Sequence, residues 1–241
     1  MPVMMGKFNR RSRIDCRMRL LLAAALAAAS AWAGAQPAPP LRIADTWPLA
    51  EPELPYAGAA AATHRLRLEL FAFRDTTWRP EAILEAVRAA APILAQCGVW
   101  LARAELKRLE GGEPGLRYLA TPVSRALVRR VQPAKPAVFF VRDTRHQPVF
   151  DAEAFGHGNT ATRPELAGTV WVTAYIRDLP VALAHELAHV LMDSGAHSVE
   201  PGNLMREATA PDATHLAPAQ CERLVTRGTE NGWLEPVRGR E

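Results

Sequence analysis

The sequence predicts an α/β fold, of the α+β kind, in which helices pack on one mixed sheet. Three observations carry that prediction. Stretches with apolar residues at every second position alternate with stretches whose apolar residues recur at helical spacing. Short apolar runs rich in β-branched and aromatic residues stand between them, as buried strands do. The last of these runs leads directly into a helix-patterned segment bearing two histidines four residues apart.

Residues 1–35 read as a secretory signal peptide outside the fold. Lys7, Arg10, Arg11, Arg13, Arg17 and Arg19 stand against one acid, Asp15, ahead of an apolar run from Leu20 to Ala29. Ala33, Gly34 and Ala35 then offer an A-x-A cleavage site. The run is shorter than the ~20 apolar residues that a bilayer-crossing helix needs. The expectation is an exported protein, periplasmic or extracellular, cut after Ala35 and left with no stable membrane anchor. The whole chain has 29 Lys+Arg and 25 Asp+Glu; without the leader these become 23 and 24, a formal net charge of −1. That balance removes the compositional case for nucleic-acid binding. Cys97 and Cys221 remain, and in an exported chain such a pair reads as a disulfide.

Residues 36–62 carry Pro37, Pro39, Pro40, Pro48, Pro52 and Pro55 with little periodicity. They are expected to form an extended lead-in to a domain covering residues 63–241. His64 to Arg74 alternates Leu66, Leu68 and Leu70 with charged residues, as a half-buried strand does. Pro80 to Gln96 reads as a helix: proline at its start, Glu81 and Glu85 early, Ile83, Leu84, Val87, Ala91 and Leu94 at helical spacing. Val99 to Leu109 alternates again, and Gly111 and Gly112 mark a turn. Ser124 to Val131 is a short arginine-rich helix, and Ala137 to Val141 a buried strand. Residues 148–167 are expected as an irregular edge strand or long loop, and Gly168 to Ile176 as a strand with Trp171 and Tyr175 as core or sheet-face aromatics. A helix opening at Asp178 or Leu179 aligns Leu183, Leu187, Val190 and Leu191 in one stripe and is expected to run on until Gly195 breaks it. A loop through Asn203 and a C-terminal helix from Pro218 to Arg227 complete the chain.

That stripe-bearing helix holds His185, Glu186 and His189. Histidines four apart share one helix face, so both imidazoles can reach one metal ion. Glu186 can approach the open side of that ion and take a proton from a metal-bound water. A catalytic zinc site commonly takes three protein ligands. His197, two residues after Gly195, supplies the third if the glycine turns the chain back. Asp193 would lie roughly 12 Å along a continuous helix from His185, too far to share the ion.

The segment His185 to Met205 (HELAHVLMDSGAHSVEPGNLM) resembles the metzincin metallopeptidases. The resemblance implies a zincin-like fold with an active-site helix, a C-terminal helix and Zn2+ on His185, His189 and His197. It implies Glu186 as general base and Met205 as the methionine of the family's Met-turn. It also implies that Gly156 and His157 lie where the family places the edge strand that pairs with an extended peptide substrate, although His157 on its own reads as a solvated loop histidine. The sequence departs from the family in three ways: the spacer before the third histidine is two residues longer, Met192 stands at the family's glycine position, and no tyrosine follows Met205. Glu200 and Glu207 are weaker candidates for the third ligand, and His64, His146 and His215 read as surface residues.

The function expected is that of a secreted zinc metallopeptidase acting on peptide or protein substrates. Two alternatives stand beside it: a zinc-binding interaction domain without turnover, and a zinc amidase acting on a non-peptide or cell-wall amide.

Overall fold

The computed structural model describes residues 37–50, 62–147 and 149–237; the expected signal peptide and residues 51–61 of the lead-in lie outside them. The chain divides into two units, Met1–Ala38 and Pro39–Glu241, and every described helix and strand lies in the second. Among the described residues no helix is long and apolar enough to cross a membrane.

A seven-stranded mixed sheet forms the frame. Its strands are β1 (Arg42–Ala50), β2 (His64–Phe73), β3 (Val99–Glu110), β5 (Ala137–Phe140), β7 (Ala152–Phe155), β8 (Thr169–Val172) and β9 (Leu234–Pro236). The order is β1-β3-β2-β5-β8-β7, with β9 pairing the start of β2 beside β5. The central strands β3, β2, β5 and β8 run parallel, whereas β1 and β7 are antiparallel edges. A separate two-stranded pair joins β4 (Tyr118–Leu119) to β6 (Asp143–Thr144).

The alternation in the sequence sorts side chains onto two faces. Leu66, Leu68, Leu70 and Ala72 of β2, Val138 and Phe140 of β5 and Val170 and Val172 of β8 face the larger core. There they meet α1 (Pro80–Ala95), α3 (Leu179–Met192) and α4 (Pro218–Glu230). Phe71, Phe73, Phe139 and Trp171 face the other side, where α2 (Thr121–Val131) packs through Leu127 and Val128. Phe71, Phe139 and Trp171 form one cross-strand row, with centroids 5.0 Å and then 4.4 Å apart.

Helix α3 is the most enclosed of the described helices. Every residue from Val181 to Met192 is buried except Glu186. Such all-round burial belongs to a helix held between other elements. The sheet lies on one side and α1 and α4 on the others, with α4 brought close at Gly228, where an added Cβ would come within 2.7 Å of Leu234 and 3.3 Å of Leu191. Cys97, just beyond α1, is bridged to Cys221 in α4.

Several expectations are corrected. Arg42–Ala50, read as part of an extended lead-in ahead of the domain, is an edge strand of the sheet, hydrogen-bonded to β3. Pro48 within it does not prevent this, because an edge strand leaves one row of backbone groups unpaired. The strand expected over 168–176 stops at Val172, and Tyr175 is 70% exposed, whereas Trp171 is fully buried. Helix α3 does not reach Gly195. It stops at Met192 because Asp193 takes the left-handed conformation, φ 47°.

Candidate metal centre

The centre begins with the end of α3. Asp193 N–H donates to Val190 O at 2.9 Å and Ser194 N–H to His189 O at 3.1 Å, the paired bonds of a Schellman closure. Glycine usually fills the left-handed position; aspartate is one of the few other residues found there. Here its Oδ1 accepts a hydrogen bond from Gly158 N–H at 3.0 Å. Gly156 permits the approach, since a Cβ on it would stand 2.3 Å from that oxygen. From the other side Arg223 of α4 donates through Nε to Met192 O at 3.0 Å. The turn is thereby tied to both neighbouring elements.

This turn aims one backbone carbonyl and returns one histidine. Ser194 O accepts from His189 Nδ1 at 2.6 Å, and Leu204 O accepts from His185 Nδ1 at 2.7 Å. With both Nδ1 atoms protonated, both Nε2 lone pairs are free and face the same point. His189 Nε2 lies 2.9 Å from His185 Nε2 and 3.2 Å from His197 Nε2. A tetrahedral ion with metal–nitrogen distances near 2.0–2.1 Å would hold such nitrogens about 3.3–3.4 Å apart. The three rings therefore stand at ligand spacing, positioned for a metal ion. Among the described residues no other histidine, cysteine, aspartate or glutamate joins them. Asp193, Glu200 and Glu207 are not in the group.

Burial lowers the pKa of His185 and brings that of His189 down to about 4, with the neighbouring histidines adding to the effect. Both rings are thus neutral at physiological pH, the form that binds metal. Burial pushes the Glu186 carboxyl up to about 8, and the charge of Glu153 on β7 adds to the shift. A divalent cation at the histidines would oppose this and favour the carboxylate.

The loop around Met205 supplies the other carbonyl. Asn203 is almost fully buried; its Oδ1 accepts from Met205 N–H at 2.9 Å, and its Nδ2 donates to Gln220 Oε1 at 2.9 Å. Gln220 Oε1 also accepts from Ala217 N–H at 2.7 Å at the start of α4. The loop that presents Leu204 O to His185 is thus anchored to α4, and Met205 sits fully buried in the larger core.

An open cleft of about 430 Å³ lies over the histidines, bordered by Phe150, Glu153, Gly156, Asn159 and Glu186 among others. Strand β7 borders it through Ala152, Glu153 and Ala154. Sequence reading missed Glu153 and treated His146 as a surface residue. His146 is instead half-buried, with Nε2 accepting from Thr121 N–H at 3.1 Å and Nδ1 3.1 Å from Glu153 Oε2. No local pattern marks this contact, because it joins three separate elements. Gly156 and His157 follow β7 rather than lying in it, and His157 is an exposed loop residue that stacks on Trp233 with centroids 5.0 Å apart.

No family model matches the sequence, and no curated protein matches it. Among solved structures the chain is similar to metalloproteinase-II from Bacteroides fragilis, with a TM-score of 0.51 and 19% identity. The match covers 69% of this chain and 54% of that one, so this chain spans about half the length of that protein. At this identity the likeness is one of fold: a mixed α/β architecture shared with a metalloproteinase.

Proposed function

We propose that the chain is an exported zinc-dependent peptidase of the metzincin kind, hydrolysing peptide bonds in the cleft between β7 and α3. One observation carries the reading: three imidazole Nε2 atoms converge beside a carboxylate, in an open cleft. Three nitrogen donors with a free side suit catalytic zinc, whereas a structural zinc site is normally closed by a fourth protein ligand. The Cys97–Cys221 bridge supports an oxidising compartment.

His185, His189 and His197 would hold the ion, the first two oriented by Leu204 O and Ser194 O. Zinc supplies Lewis acidity, polarising the scissile carbonyl and acidifying water. Glu186 accepts the proton of the attacking water and passes it to the departing amine. Strand β7 offers its outer edge to an extended peptide, which would add to the sheet as a further strand. Met205, buried on the loop anchored by Asn203, is read as the Met-turn residue.

Glu186→Gln should lose hydrolysis by about 10²–10⁴-fold while keeping one zinc per chain, because only the proton acceptor is removed. Metal content by atomic absorption and turnover of a peptide library check this together. Retained turnover with zinc intact would reject Glu186 as the base.

A further inference from the structure

The row of aromatic side chains across the sheet ends in a charge. Phe71, Phe139 and Trp171 are in register across β2, β5 and β8, and the next residue in that row is Glu153 of β7, opposite Trp171. A strand added at the outer edge of β7 would continue the row with one of its own side chains.

The backbone phase tells how near that side chain would come. Asp151 O and Phe155 O, each two residues from Glu153, accept from Thr173 N–H and Gly168 N–H on the β8 side. Glu153 shares their phase, so its own backbone groups point inward to β8. Toward an added antiparallel strand it occupies a non-hydrogen-bonded position, where opposed Cα atoms lie about 4.5 Å apart and side chains touch most closely.

The carboxylate is held ready for such a contact. Thr121 N–H fixes the His146 ring through Nε2, and Nδ1 of that ring holds Glu153 Oε2. Among the described residues no lysine or arginine forms an ion pair with Glu153. Arg163, near Thr121, is engaged otherwise: it lies over the Phe155 ring at 4.7 Å and donates to Thr121 Oγ1 at 3.2 Å. Among the described residues, those bordering the cleft include no lysine or arginine.

We propose that Glu153, held by His146, selects substrates with a lysine or arginine side chain at the position paired with it across the outer edge of β7. This rests on the peptidase reading. An opposite-charge cross-strand pair contributes up to about 1 kcal/mol, or about fivefold in kcat/KM.

The test walks a single lysine along an otherwise neutral peptide and compares each kcat/KM with that of the glutamine peptide, using the zinc-loaded protein. One position should favour lysine about fivefold, a preference that high salt weakens. In Glu153→Gln the ratio should fall to near one, and in Glu153→Lys a glutamate peptide should be preferred there. Because the readout is a ratio, a general loss of rate in a variant leaves it interpretable, and the salt dependence of the unmodified protein needs no variant. Binding of the same peptides to the Glu186→Gln protein, followed by fluorescence anisotropy, reads recognition without turnover. Hydrolysis with no lysine-favouring position, or a preference unchanged in Glu153→Gln, overturns the role of Glu153 and leaves the peptidase reading standing. Selective binding without hydrolysis by the unmodified protein upholds Glu153 and overturns the peptidase reading; neither hydrolysis nor selective binding overturns both.

Discussion

Glu186 is the one residue of α3 between Val181 and Met192 that keeps some surface in the cleft, yet burial of its carboxyl makes the metal-free fold oppose its charge. Its folded pKa, about 8, lies above the ordinary 4.5, so the folded state binds a proton more tightly than the unfolded chain. The resulting stability is fully present below about 4.5 and is lost as pH rises through about 8. In the metal-free protein Glu186→Gln should flatten that loss and leave the variant more stable than the parent at pH 8. Urea unfolding with a chelator at pH 5 and pH 8 measures it; a parental slope that survives the substitution would count against burial of this carboxyl. At the same scale, the types and spacing of His185, Glu186, His189 and His197 were readable from the sequence. Glu153, His146 and Asn203 were not, since their roles come from partners 7 to 25 residues away on other elements.

At the scale of elements, the end of α3 decides where the third histidine goes. The sequence pointed to Gly195 as the breaker because glycine adopts left-handed backbone without strain. The chain turns two residues earlier, at Asp193, whose side chain finds Gly158 N–H and whose neighbour Ser194 closes the helix on His189. An added Cβ at Gly195 meets nothing within 4 Å, so that glycine is not required by close packing. Asp193→Ala should cost about 1–2 kcal/mol, keeping the left-handed strain and losing the carboxylate's hydrogen bond. Asp193→Gly should lie closer to the parent, since relief of strain offsets the lost bond. Chemical unfolding of the two variants separates these cases, and equal losses would show that backbone strain at this turn is unimportant.

Across the whole molecule, the long-range ties converge on the elements that carry the centre. The Cys97–Cys221 bridge spans 124 residues and joins the end of α1 to α4, while Gln96 binds Thr214 O and Leu216 N–H alongside it. Closing a loop of this length contributes up to about 5 kcal/mol by restricting the unfolded chain. The double substitution Cys97→Ser, Cys221→Ser should lower stability by roughly 2–5 kcal/mol, and reduction of the parent should match it. A smaller effect in denaturant titrations would mean that the hydrogen bonds of Gln96 already hold the two helices.

The sequence by itself determined the α/β class, the two-faced central strands and the histidines able to hold a metal ion. Each of these is written in local periodicity: alternation of 2 in a strand, and a spacing of four that puts His185 and His189 on one helix face. Only the tertiary structure decided that Arg42–Ala50 joins the sheet, that Asp193 ends α3, and that Leu204 O and Ser194 O orient two imidazoles. Edge pairing, left-handed caps and the carbonyls behind histidines depend on groups brought together from distant parts of the chain. Local patterning names the residues able to bind a metal, but long-range packing sets the few ångströms between their nitrogens.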